Sequence, residues 1–160
     1  MNTSTLPYSS TTLELGPMEN FIYLIHDHAS GRVAVVDPAW EPDVILARVR
    51  EKNLRITDIL LTHSHNDHIN ALDALLAKHD AQVHLLKDEA KFWGKNQDLP
   101  SLHYGGDSIA LGETKIEVSP CKAWRCCASW ACKTTIQEST RMAVRSAIHA
   151  SGSLWNSSSK

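Results

Sequence analysis

The apolar run from Ile56 to Leu61 passes straight into Thr62-His63-Ser64-His65-Asn66-Asp67-His68, and a helical spacing of apolar residues takes over at once. A chain with this feature has to join a buried strand, a polar turn and a helix in that order. Such a unit suits a layered α/β domain, with the polar turn at the carboxyl end of the strand. Side chains alternate along an extended backbone, so His63 and His65 point to the same side. Asp67 and His68 open the helix and turn back toward the same space. Four side chains of ligand type therefore converge within six residues. Imidazole nitrogen and carboxylate oxygen are donors that zinc accepts, as do iron and manganese. A metal held there would bring the pKa of a bound water to about 7 and so supply hydroxide at neutral pH. The plainer alternative is a helix capped by Asn66 or Asp67 beside surface histidines. The H-x-H-x-D-H spacing after an apolar strand favours the metal.

The flanking segments extend the same alternation. Thr12–Leu15 and Phe21–His26 read as strands separated by the turn signal Gly16-Pro17, and Arg32–Val36 reads as a third, entered through Gly31. Glu41–Lys52 reads as a helix, with acidic residues in its first turn and basic ones near its end. Ile56–Thr62 is a strand, Asp67–His79 a helix, Gln82–Leu86 a strand and Asp88–Trp93 a short helix. Ser108–Leu111 and Thr114–Val118 form a hairpin around Gly112. His26 and His28 read as surface residues. His79, His84 and His103 read as isolated, and Trp40 and Trp93 as core, rim or pocket residues. No G-x-S-x-G, phosphate loop or placed Cys–His pair is present.

Thr-His-Ser-His-Asn-Asp-His resembles the metal-binding signature of the metallo-β-lactamase superfamily, as do Asn20-Phe-Ile-Tyr-Leu and Val35-Val-Asp-Pro38 around it. The resemblance is greatest to the hydroxyacylglutathione hydrolase (glyoxalase II) group and covers about residues 12–118. It implies an αβ/βα sandwich with up to two zinc ions, or iron or manganese, between the sheets. His63 and His65 would bind one metal, and Asp67 and His68 the second, with Asp67 also serving catalysis. Asp37 would orient a ligand rather than bind metal, its alternative being a simple turn before Pro38. The implied reaction is hydrolysis of a small-molecule thioester, such as a glutathione thioester, by metal-bound hydroxide. The family's Thr-Pro-Gly-His-Thr-x-Gly loop and its later Gly-Asp are not matched, since Val118 leads into Ser119-Pro-Cys121. His149, the next histidine, is a weak candidate ligand. A truncated, inactive remnant that binds metal weakly is the alternative to an enzyme, and a histidine-based metal sensor or carrier is a third reading.

Composition marks the same seam. Residues 1–118 hold 10 Lys and Arg against 17 Asp and Glu, whereas residues 119–160 hold 6 against 1. All four cysteines lie beyond the seam. Residues 1–118 are expected to form the N-terminal half of the sandwich. Residues 119–160 read as a divergent tail, either a frameshifted, poorly ordered segment or a true extension. Its cysteines lack finger spacing, so reduced thiols are expected rather than a further zinc site. A half-sandwich would leave apolar surface open, which favours association with another copy. The net charge of −2 argues against nucleic acid, and no apolar run suits a membrane. Met1–Thr12 carries no Lys or Arg and no apolar stretch, so a cytoplasmic location is expected.

Overall fold

Two long strands open the fold, β1 (Tyr8–Leu15) and β2 (Asn20–Asp27), paired antiparallel from Tyr8 opposite Asp27 to Leu15 opposite Asn20. The computed structural model describes residues 6–62, 64–92 and 100–118. Gly16 turns the first hairpin at φ +76°, and the Trp40 ring fills the space a Cβ there would need. β3 (Arg32–Val36) runs antiparallel to β2. From β3 onward the sheet is parallel: β4 (Arg55–Leu61), β5 (Gln82–Leu86) and β6 (Pro100–His103) follow in order. The six-stranded sheet therefore has the order β1-β2-β3-β4-β5-β6. A separate hairpin, β7 (Ser108–Leu111) and β8 (Thr114–Glu117), forms a second sheet.

Parallel neighbours need crossover connections, and helices supply them. α1 (Pro42–Glu51) joins β3 to β4. Pro42 and Asp43 suit its first turn, Arg48 and Arg50 its last, and Ile45, Leu46 and Val49 are its buried face. α2 (Asn66–Ile69) and α3 (Leu72–Leu76) join β4 to β5, and a 3₁₀ turn over Lys87–Phe92 follows β5.

Each face of the large sheet has its own core. On the helical face, Val35, Ile59, Leu61, Val83 and Leu85 pack with Ile45, Val49, Leu72 and Leu75, and Trp40 packs against this cluster. On the inner face, Ile25, Ala34, Val36 and Leu60 pack with Ile109, Leu111 and Ile116 of the β7–β8 hairpin. The register of β3 against β4 shifts between Val33 and Ala34, so Val33 lies opposite Ile56 and Ala34 opposite Asp58. A bulge of this kind re-aims side chains. It lets Ile56 and Ile59 share the helical face while Asp58 stays on the inner face with Leu60.

Three elements differ from the sequence reading. The helix expected over Asp67–His79 is two short helices. The bond that would bridge them is missing because its partners are engaged elsewhere: the Ala71 amide donates to Pro38 O, and Asp67 O accepts from Asn20. The strand β6 was not expected. The helix expected over Asp88–Trp93 is the 3₁₀ turn, shifted toward the N-terminus. The sandwich implied by the resemblance is present as one full sheet with helices outside and the β7–β8 hairpin inside. The tail, residues 119–160 with their cysteines and His149, lies outside the described residues, as do His63 and Trp93. Among the described residues no helix is long and apolar enough to cross a membrane.

Candidate metal centre

Parallel strands that end at the same level place their following loops side by side, and this geometry assembles the site. Asp37 leaves β3 and donates its amide to Leu60 O of β4, which keeps the two strand ends in step. Its side chain then meets the loop after β4. Oδ1 accepts the Thr62 amide at 2.8 Å, and Oδ2 accepts the Thr62 hydroxyl. Oδ2 also lies 3.2 Å from His68 Nδ1. Asp37 is 3% exposed and His68 4%. A buried carboxylate with three donors around it is satisfied as an anion. The backbone at Asp37 is left-handed, at φ 49°, a conformation a non-glycine residue seldom holds without support from its surroundings.

The His68 ring is thus anchored by one nitrogen. In the neutral ring, with Nδ1–H donating to Asp37, Nε2 carries the lone pair. Nε2 stands 3.4 Å from Asp67 Oδ2, and Asp67 is half-buried where His68 is buried. Burial pushes the His68 pKa down, but the hydrogen bond to Asp37 and the charges of Asp37 and Asp67 outweigh it and leave the pKa raised. The Nε2–Oδ2 separation permits a direct test of metal fit. Two ligands of a tetrahedral zinc, at about 2.0–2.2 Å from the ion, stand about 3.4 Å apart. The pair therefore has the spacing of one edge of such a site, with a carboxylate behind the histidine, as ligating histidines commonly have.

Contacts from distant parts of the chain hold this loop. Asn20 Nδ2 donates to Asp67 O at 2.6 Å, and the Trp40 amide donates to Asn70 Oδ1 at 2.5 Å. Glu89, in the 3₁₀ turn, accepts the Ser64 amide at 3.3 Å and lies 3.4 Å from the Ser64 hydroxyl. Ser64 directly precedes His65, so Glu89 holds the backbone next to that histidine. His65 is exposed and stands at the start of α2 with extended backbone. The structure brings Asp37, Asp67 and His68 together and places His65 on the same loop. Among the described residues no three His, Cys, Asp or Glu side chains form a metal-holding set.

Asn20 lay within a segment that the sequence singled out, but its contact with Asp67 had no sequence signal, nor had the role of Glu89. Of the histidines read as surface residues, His28 is exposed and His26 half-buried. His84 and His103, read as isolated, are in direct contact with each other, 2.9 Å between Nδ1 and Nε2.

Comparison with known proteins places the fold in a family. The family model for the metallo-beta-lactamase superfamily matches residues 15–124. A hydroxyacylglutathione hydrolase of Fuscovulum blasticum is 41% identical over 97 residues, 59% of this chain and 35% of that protein. A probable polyketide biosynthesis zinc-dependent hydrolase, PksB of Bacillus subtilis (strain 168), is 34% identical over 99 residues, 61% of this chain and 44% of that protein. Among solved structures, ETHE1 from Myxococcus xanthus superposes with a TM-score of 0.57 at 27% identity, over 68% of this chain and 46% of that one. The chain spans less than half the length of these curated relatives.

Proposed function

Because this chain belongs to the metallo-beta-lactamase superfamily, we propose that it carries the N-terminal half, residues 1–118, of a metal-dependent hydrolase acting on thioesters. The observation that carries this reading is the Asp37–His68–Asp67 arrangement. It places the His68 Nε2 and an Asp67 carboxylate oxygen 3.4 Å apart, with the imidazole anchored from behind. His68 and Asp67 would hold one metal ion. His63 and His65 would hold another, and His149 is a weak further candidate. Zinc is the favoured ion, as the name of the B. subtilis relative suggests, with iron or manganese as alternatives. A bound metal would supply Lewis acidity toward an acyl carbonyl and a lowered pKa for coordinated water.

The protein's own groups have definable tasks. Asp37 holds the His68 ring at Nδ1 and so turns Nε2 toward Asp67. Asn20 and Glu89 fix the backbone on either side of His65. Asp67 brings negative charge to the pair, so a cation is favoured there over an anion. A glutathione thioester is the favoured substrate class, from the hydroxyacylglutathione hydrolase relatives. A small-molecule partner and a cytoplasmic setting go with that reading.

A second reading has its own observation. After Val118 the sequence offers no Gly-Asp and one acidic residue, Glu138. Without a further carboxylate to link two metals, the chain would be an inactive remnant that binds metal weakly. One experiment separates the two. Metal content of the purified chain is measured by elemental analysis beside His65→Ala, together with chelator-sensitive hydrolysis of acyl-glutathione thioesters. Near two metals per chain, reduced in the variant, and a chelator-sensitive rate support the hydrolase. One weakly held metal with no rate above background supports the remnant. No metal at all overturns both.

A further inference from the structure

A second polar network runs across the inner face of the sheet, and the proposed hydrolysis makes no use of it. It starts at Arg32 on β3, whose Nη2 donates to both carboxylate oxygens of Asp58 on β4, at 2.9 and 2.8 Å. Asp58 is 2% exposed. Its Oδ2 also accepts the Thr57 hydroxyl at 2.6 Å, and its Oδ1 lies 3.1 Å from His84 Nε2 on β5. His84 Nδ1 in turn faces His103 Nε2 on β6 at 2.9 Å. The two rings are 11% and 18% exposed at their side chains.

The chemistry of each group fixes where the protons sit. Arg32, Thr57 and His84 hold the Asp58 carboxyl below its usual range, although burial pushes it up. An ionised Asp58 can only accept, so His84 donates from Nε2 and its Nδ1 is left as an acceptor. His103 must then donate from Nε2. The ring centroids are 5.1 Å apart while the facing nitrogens are 2.9 Å apart. The rings therefore lie nearly end to end with the nitrogens aimed at each other. This is hydrogen-bond geometry and leaves no place for a metal between them.

A bond of this kind needs one proton between the two nitrogens. With both rings neutral it is intact. With one extra proton on the pair it is still intact and is strengthened by charge. With two extra protons both facing nitrogens carry hydrogen, and the bond becomes a repulsive contact. The charged and titratable neighbours among the described residues are these. Arg32 and Asp58 stand behind His84. Asp107, in the turn after β6, lies 4.0 Å from His103 Nδ1, and Lys87 at the end of β5 is engaged with the Tyr104 hydroxyl. Burial and the His84 ring both push the His103 pKa down, against Asp107.

We propose that His84 and His103 form a pH-sensitive clasp that docks the edge strand β6 onto β5 and opens when both rings are protonated. Among the described residues β6 is the shortest strand of the large sheet, four residues long, and stands at its edge. Opening would free the edge next to the 3₁₀ turn that carries Glu89, and so would reach the loop bearing His65.

The test uses the full chain. Nitrogen-15 histidine spectra across pH 4 to 8 report tautomers and titration, and hydrogen exchange gives protection factors for β6 amides in the same range. The wild type should show Nε2–H tautomers for both rings, a two-step coupled titration, and at least a tenfold loss of β6 protection across the second step. His103→Gln should remove that loss, because a glutamine amide can donate to neutral His84 or turn and accept from the protonated ring. Two independent single-step titrations, or the same loss of β6 protection in wild type and His103→Gln, would overturn the proposal. If the variant does not fold, the tautomers and the two-step titration of the wild type still decide it.

Discussion

Replacing Asp27 by Asn tests whether one buried carboxylate holds the β7–β8 hairpin to the large sheet. Asp27 ends β2 and is 0% exposed. Oδ2 accepts the Ser30 amide at 2.9 Å and its hydroxyl at 2.6 Å; Oδ1 accepts the Thr114 amide at 2.9 Å and its hydroxyl at 2.6 Å. All four partners are donors, so only a group that accepts on both oxygens satisfies them. Asparagine supplies one such oxygen and turns an NH2 toward an amide donor on the other side, that of Ser30 or of Thr114. Hydrogen bonds to a charged group contribute roughly 1.5–3 kcal/mol each, and leaving a buried donor unmade costs about 1–3 kcal/mol. The lost charge and the one orphaned amide together give an expected destabilisation of about 3–5 kcal/mol. Against the about 5–15 kcal/mol of a typical domain this is a large fraction. With a urea slope of about 1–3 kcal/mol/M, the midpoint should fall by roughly 1–5 M. Hydrogen exchange should show the β7–β8 amides losing protection before those of β3 and β4. The pH dependence gives a second reading. Burial raises the Asp27 pKa, but the Ser30 and Thr114 bonds lower it further and leave it well below the ordinary range. The carboxylate's contribution is therefore complete above about pH 4 and is lost as pH falls toward the folded-state value. The variant should lack that acid-labile component. A midpoint shift under about 0.5 M, with an unchanged acid limb, would refute the reasoning.

Four further outcomes are expected. Asp37→Asn should weaken metal binding about 10–100-fold by competition with a chromophoric chelator, because His68 loses the anion that fixes its tautomer; unchanged affinity would remove Asp37 from the site. Gly16→Ala should lower the thermal midpoint by several degrees in calorimetry, since the residue has φ +76° and the Trp40 ring occupies the Cβ position. Asp58→Asn should flatten the acid limb of stability, because the lowered Asp58 pKa means its contribution is present above about pH 4 and disappears below it. An acid denaturation curve that overlays the wild type would count against the network. Arg32→Lys should destabilise the fold by about 1 kcal/mol in urea, since one ammonium cannot reach Asp58, the Thr57 hydroxyl and Ala110 O together as the three guanidinium nitrogens do.

What the sequence made legible was local. The strands β2 to β5 and helix α1 follow from short apolar runs, turn residues and charge placement, each written within a dozen residues. The H-x-H-x-D-H spacing is local too, and it located the loop that carries the candidate site. The Val35-Val-Asp-Pro38 segment suggested that Asp37 orients a ligand. Its partner became visible only with the parallel register of β3 and β4, which brings Asp37 level with Thr62 and the start of α2. The strand β6 was illegible for a plain reason: Pro100-Ser-Leu-His103 begins with a residue that cannot donate to a ladder and is too short to show a period.

The same distinction explains why the two polar networks were read so unequally. His63 to His68 are close in sequence, so their shared space could be inferred from one strand and one helix. Arg32, Asp58, His84 and His103 come from four successive strands, and the nearest two are nineteen residues apart. Their contact depends on three inter-strand registers and on the bulge that keeps Asp58 on the inner face. A one-residue slip at any of these would turn a member of the chain to the other side of the sheet. The network is therefore a sensitive reporter of register, and its buried charge requires that register to be kept: an Asp58 turned away from Arg32 and His84 would be an unpaired charge in an apolar layer. Among the described residues the polar groups of the inner face tie four successive strands together in order, and β6 joins that chain through the His84–His103 contact beside its ladder to β5.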